Sequence, residues 1–332
     1  MKEQKNTIAK QTLEELDKIK EFNDQLEEDI SNAAKSHDTD DPLEVALYYR
    51  PAMILARFFV RHGQSPNTVT MLSLLCGVAG SFFFYPQSVY LNIIGILLEL
   101  CAVMLDCCDG QVARITNSSS QLGRFLDGMV DTVNFAAVYI ALALRMMHET
   151  IPFAGVKWGA SIWLIIVING YCHAQQARMA DYYRGLHLAF LGHDNTANFT
   201  SSEKVKAELD ESRDTPLYNR IYLFLYYQYT KAQERLTPKA QMLLGSIRAN
   251  GGSIPKELAE EYTSRSRKYI QLTNILTYTG RAYSLYLMVL LKLHHFYPLL
   301  VIFVLGGIMV FMISKYEKIA EDISMRYYPN SK

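Results

Sequence analysis

The chain has 332 residues, of which 50% are hydrophobic and 20% are charged, and its formal net charge at pH 7 is zero. A neutral chain offers no excess positive charge to a polyanion, so no nucleic-acid partner is expected. The charged residues are concentrated in residues 1–41 and 196–268, while long apolar runs lie between and after these segments. This segregation predicts an integral membrane protein, and the polar start MKEQKNTIAKQ predicts the absence of a cleavable signal peptide.

Two helices are predicted before the first membrane span. Residues 8–34 predict a polar helix, within a cytoplasmic domain 1–41, that pairs with a partner helix or with the insert, or is solvated. The following segment, PLEVALYYRPAMILARFFVRHG, is apolar on one face and carries Arg50, Arg57 and Arg61 near its polar edge. A large apolar face with cationic flanks predicts an amphipathic helix in the membrane interface, with a soluble docking helix as the alternative.

Six apolar runs approach the length of about 20 residues that crosses a bilayer. They lie at residues 66–85, 88–105, 128–147, 153–174, 272–291 and 296–314. The short connections 85–88, 148–153 and 293–296 contain no Lys or Arg, whereas every connection on the other side carries them. Because cytoplasmic loops are enriched in Lys and Arg, both termini are predicted to face the cytoplasm. The membrane is predicted to be the inner membrane. Lys157 does not fit this pattern and is expected to extend towards the outer surface.

The predicted fold is therefore an all-α membrane protein with six transmembrane helices and a helical cytoplasmic insert. Residues 42–184 hold the interfacial helix and four spans, residues 185–268 form the insert, and residues 269–332 hold two spans and a tail. Within the insert, Leu217–Leu236 has a tyrosine-rich, apolar first half, and it either lies on the membrane or packs against the spans. The five cysteines are expected to be free, buried thiols rather than disulfides or zinc ligands.

Four aspartates lie where the second predicted span ends and the third begins. Asp106 and Asp109 are three residues apart, and Asp127 and Asp131 are four apart, so each pair shares one face of a helix. Converging carboxylates repel one another unless cations lie between them, and they bind hard divalent cations. Capping is an alternative explanation for Asp127 and Asp131, but not for Asp106, which closes an apolar span. The pattern predicts a divalent-metal site that acts on a phosphate.

The spacing of these residues resembles the signature of the CDP-alcohol phosphotransferases. The signature reads D-x-x-D-G-x-x-A-R, eight residues, then G-x-x-x-D-x-x-x-D, and here it is filled by Asp106, Asp109, Gly110, Ala113, Arg114, Gly123, Asp127 and Asp131. The resemblance includes the segment Ser65–Thr70 and the six-span layout. It implies transfer of a phosphatidyl or phosphoalcohol group from a CDP-activated donor to an alcohol, with release of CMP. It also implies two Mg²⁺ or Mn²⁺ ions, contact with membrane lipids and a homodimer.

The resemblance also implies roles for individual residues. Asp106, Asp109 and Asp127 would be the principal metal ligands, and Asp127 and Asp131 the catalytic pair, with Asp131 as a further ligand or as general base. Arg114 would contact the diphosphate. The cytidine pocket would be lined by Gly110, Ala113, Gly123, Pro66, Asn67 and Thr70.

The acceptor is less well defined. The motif region resembles members that act on inositol or inositol phosphate, and a phosphorylated acceptor needs further cations, for which Arg124, Arg178 and Arg281 are candidates beside Arg184. Glycerol phosphate and serine are alternative acceptors, whereas Gly128 replaces the His that choline and ethanolamine phosphotransferases carry. A non-catalytic membrane scaffold and a transporter are the other classes considered. An intact motif argues against the first, and acids at the membrane edge rather than at mid-depth argue against the second.

Overall fold

The computed structural model of the chain describes residues 24–25, 38–118, 121–192, 201–212 and 215–329, with backbone alone for 121–122 and 124–127. Over this part of the chain the secondary structure is helical, with one isolated bridge between Thr150 and Lys157 and no strand. The predicted all-α class is therefore confirmed. The polar helix predicted for residues 8–34 lies outside the described residues, apart from its helical residues 24 and 25.

Eleven helices of ten or more residues occur in the described part. The first is preceded by the short helical segments Pro42–Glu44 and Val45–Tyr49, and the last by short helical segments between His294 and Leu305. The helices are α1 (Arg50–Arg61), α2 (Pro66–Phe82), α3 (Val89–Ile115), α4 (Gln121–Met146), α5 (Ser161–Phe190), α6 (Ser202–Glu211), α7 (Leu217–Leu236), α8 (Pro238–Ala249), α9 (Lys256–Leu276), α10 (Tyr278–Leu290) and α11 (Gly306–Tyr327).

The chain divides into two compact units. The N-terminal unit comprises residues 1–82 and 94–137, and the C-terminal unit comprises residues 83–93 and 138–332. All eight positions of the aspartate motif, and the segment Ser65–Thr70, belong to the N-terminal unit. The predicted insert, residues 185–268, and the later helices belong to the C-terminal unit.

Small side chains hold the helices of the N-terminal unit close together. Ala52 and Ala56 of α1 are fully buried in a core with Cys108 and Val112 of α3. On α2, the Ser73 hydroxyl donates to the Ala102 carbonyl at 2.8 Å. A Cβ added to Gly77 would meet the Asn134 amide at 2.5 Å. Close approach through Gly, Ala and Ser is typical of helices packed within a membrane.

Within the described ranges, three helical segments are long and apolar enough to cross a bilayer, namely Val89–Ile115, Gly128–Met146 and His294–Tyr327. The chain is therefore consistent with a membrane protein, while six spans stay a prediction. Two of the predicted spans differ in their helical bounds. The fourth begins at Ser161 rather than at 153, because positive φ angles at Phe153, Gly155 and Gly159 form a loop before it. Lys157 lies in that loop, so its charge is not inside a spanning helix.

The fifth predicted span contains a helix break. Helix α9 ends at Leu276 and α10 begins at Tyr278, with Thr277 in an extended conformation between them. Arg184 of α5 donates to the hydroxyls of Thr273 and Thr277 at 2.9 and 3.1 Å, beside this break. The guanidinium thus lies at the negative end of the α9 dipole, which stabilises the break.

Aromatic pairs hold helices of the C-terminal unit together. Tyr183 of α5 stacks on Tyr316 of α11 at 4.1 Å, and Phe190 of α5 stacks on Tyr262 of α9 at 4.0 Å. Helix α9 packs along α5 and α11, and α6 packs on α7. All five cysteines are free thiols, but only Cys108 is buried as predicted, and the other four are half-buried.

Candidate functional site

The segment Ser65–Thr70 forms the start of helix α2. The Ser65 hydroxyl accepts a hydrogen bond from the Thr68 backbone N–H at 3.3 Å, and Pro66 is the first helical residue. Serine before the helix and proline in its first position are the standard residues for a helix start. This arrangement leaves Asn67 exposed and brings Thr70, one turn later, to a buried position.

The buried hydroxyl of Thr70 contacts the first half of the aspartate motif. Thr70 Oγ1 donates to Asp109 Oδ2 at 2.5 Å, and Asp109 is only 6% exposed. The sequence predicted Thr70 as part of a cytidine pocket, whereas the contact present here is with a predicted metal ligand. A hydrogen bond to one carboxylate oxygen fixes the orientation of the other, which is how neighbouring side chains commonly position metal ligands.

The thiols beside these aspartates point elsewhere. Cys107 Sγ donates to Glu44 Oε1 at 3.4 Å, and Cys108 is fully buried in the apolar core against α1. The motif turn of α3 therefore offers carboxylate oxygens, from Asp106 and Asp109, as ligands. Such a donor set fits Mg²⁺ or Mn²⁺ better than zinc.

The arginine of the motif lies over its glycine. A Cβ added to Gly110 would be 3.7 Å from Arg114 Nη2, so the guanidinium folds back along α3 towards the motif turn. Arg114 is exposed and Ala113 is half-buried. Helix α3 ends after this turn, where Asn117 takes a φ of 50° and the Ser118 N–H bonds to the Ala113 carbonyl at 3.0 Å. A left-handed Asn is a common helix terminator, and it starts the connection to the second half of the motif.

The second half of the motif lies on the first turns of α4. Gly123 is half-buried and Asp131 is exposed, while the side chains of Arg124 and Asp127 lie outside the described residues. Gly128 has nothing within 4 Å of the position of an added Cβ. The motif residues thus lie on two helices of one compact unit, and the roles predicted for them stay predictions.

The predicted acceptor-binding arginines of the C-terminal unit have partners within that unit. Arg178 donates to Gln175 at 2.8 Å and lies 5.2 Å from the centre of the Tyr229 ring. Arg281 is 1% exposed and donates to the Leu276 carbonyl at 2.5 Å, at the end of α9. These contacts join α5 to α7 and α10 to α9, so a structural role exists for both residues beside the predicted one.

A second polar cluster, which the sequence did not predict, lies in the C-terminal unit. Ligand atoms of Glu149, His294 and His295 all lie within 4.8 Å of one another, a spacing that could hold a metal ion. The adjacent histidines in the 293–296 connection were the available signal. They were overlooked because Glu149 is about 145 residues away along the chain.

The hydrogen bonds of this cluster favour an internal ion pair over a metal site. Glu149 Oε1 accepts from Arg145 at 3.1 Å and from Gln87 at 2.9 Å, and Oε2 lies 2.7 and 3.2 Å from the Nε2 atoms of His294 and His295. The Trp158 N–H donates to His295 Nδ1 at 3.1 Å. A neutral His295 therefore carries its proton on Nε2, where a metal ion would need a lone pair.

The charges agree with this interpretation. Arg145 is 4% exposed, so a further cation beside it would be repelled in a poorly solvated place. Burial alone would raise the pKa of Glu149, but the hydrogen bond and charge of His294, together with those of Arg145, lower its pKa to about 2. Glu149 is thus held as a carboxylate by donors of the chain itself.

The comparisons with known proteins concern the aspartate motif. The profile of the family described as CDP-alcohol phosphatidyltransferase matches residues 63–181. An archaetidylinositol phosphate synthase of Pyrococcus horikoshii is 37% identical over 119 residues, which are 35% of this chain and 57% of the relative. A phosphatidylinositol phosphate synthase of Streptomyces avermitilis is 34% identical over 99 residues, 30% of this chain and 40% of the relative.

A third relative differs in its acceptor. The CDP-diacylglycerol–serine O-phosphatidyltransferase of Mycobacterium leprae is 31% identical over 110 residues, 32% of each chain. In all three cases the chain spans less than two thirds of the relative's length. No solved structure matches this chain. Residues 63–181 therefore match the CDP-alcohol phosphatidyltransferase family, the family whose signature the motif residues resemble.

Proposed function

We propose that the protein is a membrane-embedded phosphotransferase that moves a phosphatidyl-type group from a CDP-alcohol, such as CDP-diacylglycerol, to an alcohol acceptor and releases CMP. The observation that carries this proposal is the complete motif within one compact unit, with Asp109 held by Thr70. The family of residues 63–181 supports the reaction type.

The motif residues would divide the chemistry as follows. Asp106, Asp109, Asp127 and Asp131 would hold two Mg²⁺ or Mn²⁺ ions, which neutralise charge on the diphosphate and on the leaving CMP. Arg114 would add a forked contact to the same diphosphate. Asp131 would accept the proton of the acceptor hydroxyl as its oxygen attacks the β-phosphorus and the bond to CMP breaks.

The cytidine would lie against the small residues of the motif. Gly110, Ala113 and Gly123 leave room for a base beside the helix backbones. Pro66 and Asn67, at the exposed start of α2, would complete this pocket. Thr70 is assigned a second role, to orient Asp109.

For the acceptor we propose inositol phosphate, with serine as the alternative, since relatives named for each are similar to the motif region. A phosphorylated acceptor needs cations, and Arg124, Arg178 and Arg281 are the candidates.

We further propose six spans, a homodimer, and an inner-membrane topology with the motif and both termini in the cytoplasm. Helix α1, whose Ile54 and Phe58 are half-exposed, would lie in the cytoplasmic interface.

The proposal is tested with purified protein in vesicles that contain CDP-diacylglycerol and Mg²⁺. Labelled inositol, inositol phosphate, glycerol phosphate and serine are supplied one at a time, and CMP and the lipid product are measured. We expect one acceptor to give both products in equal amounts, and chelation to abolish them. A protein that binds CDP-diacylglycerol but releases no CMP with any acceptor would instead be a scaffold.

A further inference from the structure

Helix α7 of the insert exposes an apolar face. Its first half carries five large side chains that are 49–71% exposed. They recur at the spacing of one helix face: Leu217, Tyr218, Ile221, Phe224 and Leu225. We call these five residues the α7 apolar face. Scattered exposed apolar residues are normal, but a contiguous set on one helix face indicates a binding surface.

The rest of α7 is fixed to the C-terminal unit, so this exposure is a property of a packed helix. Leu223, Thr230 and Gln233 are buried on its other side. The Tyr229 hydroxyl donates to Asp181 at 3.0 Å, and Gln233 donates to the Arg178 carbonyl at 3.1 Å. Both partners lie on α5. The α7 apolar face therefore projects from a helix whose second half is anchored to a predicted membrane helix.

Arg178 and Asp181, to which α7 is anchored, follow the last exposed apolar residues of α5. Leu164, Val167, Ile168 and Tyr171 are the large, exposed apolar residues of α5, and Tyr171 is the last of them in the described part of that helix. Arg178 and Asp181 follow it by about 10 and 15 Å along the helix axis. A helix has a radius of about 5 Å, and the headgroup region is of similar thickness. If the apolar phase ends near Tyr171, the near side of α7 lies roughly 5–10 Å beyond it, at the outer part of the headgroup region.

The charge pattern of α7 suits an anionic lipid surface. Residues 217–233 contain no Asp or Glu, and they contain Arg220 and Lys231. Arg220 is exposed beside the α7 apolar face. Tyrosine and arginine around an apolar stripe are the residues that favour the membrane interface.

A second copy of the chain is a poorer occupant of this face. The five side chains expose roughly 500 Å², if each offers about 150–250 Å² when fully exposed. A stable protein interface needs about 800 Å² from each partner. A symmetric pair would also bring two Arg220 side chains towards each other.

We propose that the α7 apolar face inserts into the headgroup–acyl boundary of the cytoplasmic leaflet and holds the insert against the membrane. A bilayer containing anionic phospholipid is the partner. Because α7 carries none of the motif residues, this contact is separate from the proposed catalytic site.

The test uses the full-length protein in vesicles of phosphatidylcholine and phosphatidylglycerol that contain a phospholipid with a diazirine on its acyl chain. After irradiation, cross-linked peptides are identified by mass spectrometry. We expect lipid cross-links on residues 217–225 in addition to those on α5. Cross-links on α5 without any on α7 would overturn the proposal.

Two variants make the result specific. Ile221→Glu with Phe224→Glu is expected to lose the α7 cross-links while those on α5 persist. The matched control, Lys204→Glu with Ala207→Glu on exposed positions of α6, is expected to retain them.

As a further check, Phe224→Cys should not form a disulfide-linked dimer in vesicles under oxidation. A dimer formed in high yield would identify a second copy as the occupant and reject the lipid contact.

Discussion

The carboxylates near the two ends of helix α4 differ in what surrounds them. In the motif, the hydrogen bond described for Asp109 comes from the neutral hydroxyl of Thr70. Beyond the other end, Glu149 is bonded to the guanidinium of Arg145 and to two imidazoles. A carboxylate already paired with a buried guanidinium of the chain has a structural role, whereas clustered aspartates suit an external cation. Geometry alone would have selected Glu149, so the charge of the partners is the more informative property.

The largest effect on activity is expected from a substitution in the aspartate motif, at the start of helix α4. Asp131→Asn removes the proposed base and should lower the rate of CMP release by roughly 10²- to 10⁴-fold. The side chain is exposed, so the melting temperature should hardly change. Stopped assays of CMP release and a separate measurement of CDP-diacylglycerol binding check this. A variant with normal turnover would exclude Asp131 as the base.

Glu149→Gln is expected to act on stability instead. Removing the carboxylate leaves the buried Arg145 without its ion partner, which destabilises by about 3–5 kcal/mol. Thermal unfolding in detergent measures the loss, and CMP release per folded molecule should stay close to that of the wild type. Gln87→Ala, which removes only a neutral donor to the same carboxylate, is the matched control and should destabilise far less. Loss of divalent-metal binding in Glu149→Gln would place the metal at this end of α4.

The dependence of stability on pH tests the structural role of Glu149 in a second way. The pKa of Glu149 in the folded protein is about 2, below the ordinary value for a glutamate in an unfolded chain. A depressed pKa contributes stability that is present above the unfolded pKa and is lost as the pH falls towards the folded pKa. The wild type should therefore lose stability between about pH 4.5 and pH 2. In Glu149→Gln this part of the acid dependence should be missing from melting curves.

The placement of the motif residues on two helices could be predicted from the sequence, whereas the cluster at Glu149 could not, for a physical reason. Asp106 to Asp131 lie on consecutive helices, so local spacing suffices to identify them. Glu149 and His294 meet only through tertiary packing, and the adjacent histidines give no indication of their distant partner. The break at Thr277 was missed for the same reason, because its apolar neighbours continue the pattern of a span while distant Arg184 stabilises the helix end. The start of α5 was misplaced by eight residues, although Gly155 and Gly159 marked the loop.

A smaller effect is expected from Thr70→Val. The substitution removes the hydrogen bond to Asp109 at nearly constant volume, and a bond to a charged group is worth about 1.5–3 kcal/mol. We expect the concentration of Mg²⁺ needed for half-maximal CMP release to rise roughly tenfold, with cytidine nucleotide affinity less affected. Thr70→Ser keeps the hydroxyl and should restore the metal requirement. If instead nucleotide affinity falls and the metal requirement does not, Thr70 acts in the cytidine pocket as the family resemblance implied.

The smallest effect is expected at Gly128, between two aspartates of the motif. An added Cβ would meet nothing within 4 Å, so Gly128→Ala should leave CMP release unchanged and alter stability by less than about 1 kcal/mol. Gly77→Ala in the same unit is the contrasting variant, because its Cβ would lie 2.5 Å from the Asn134 amide and must displace it. The melting temperature should therefore fall for Gly77→Ala and not for Gly128→Ala. A large loss of activity in Gly128→Ala, at unchanged melting temperature, would mean that substrate occupies the open space beside Gly128, and that the site extends further along α4 than the aspartates alone.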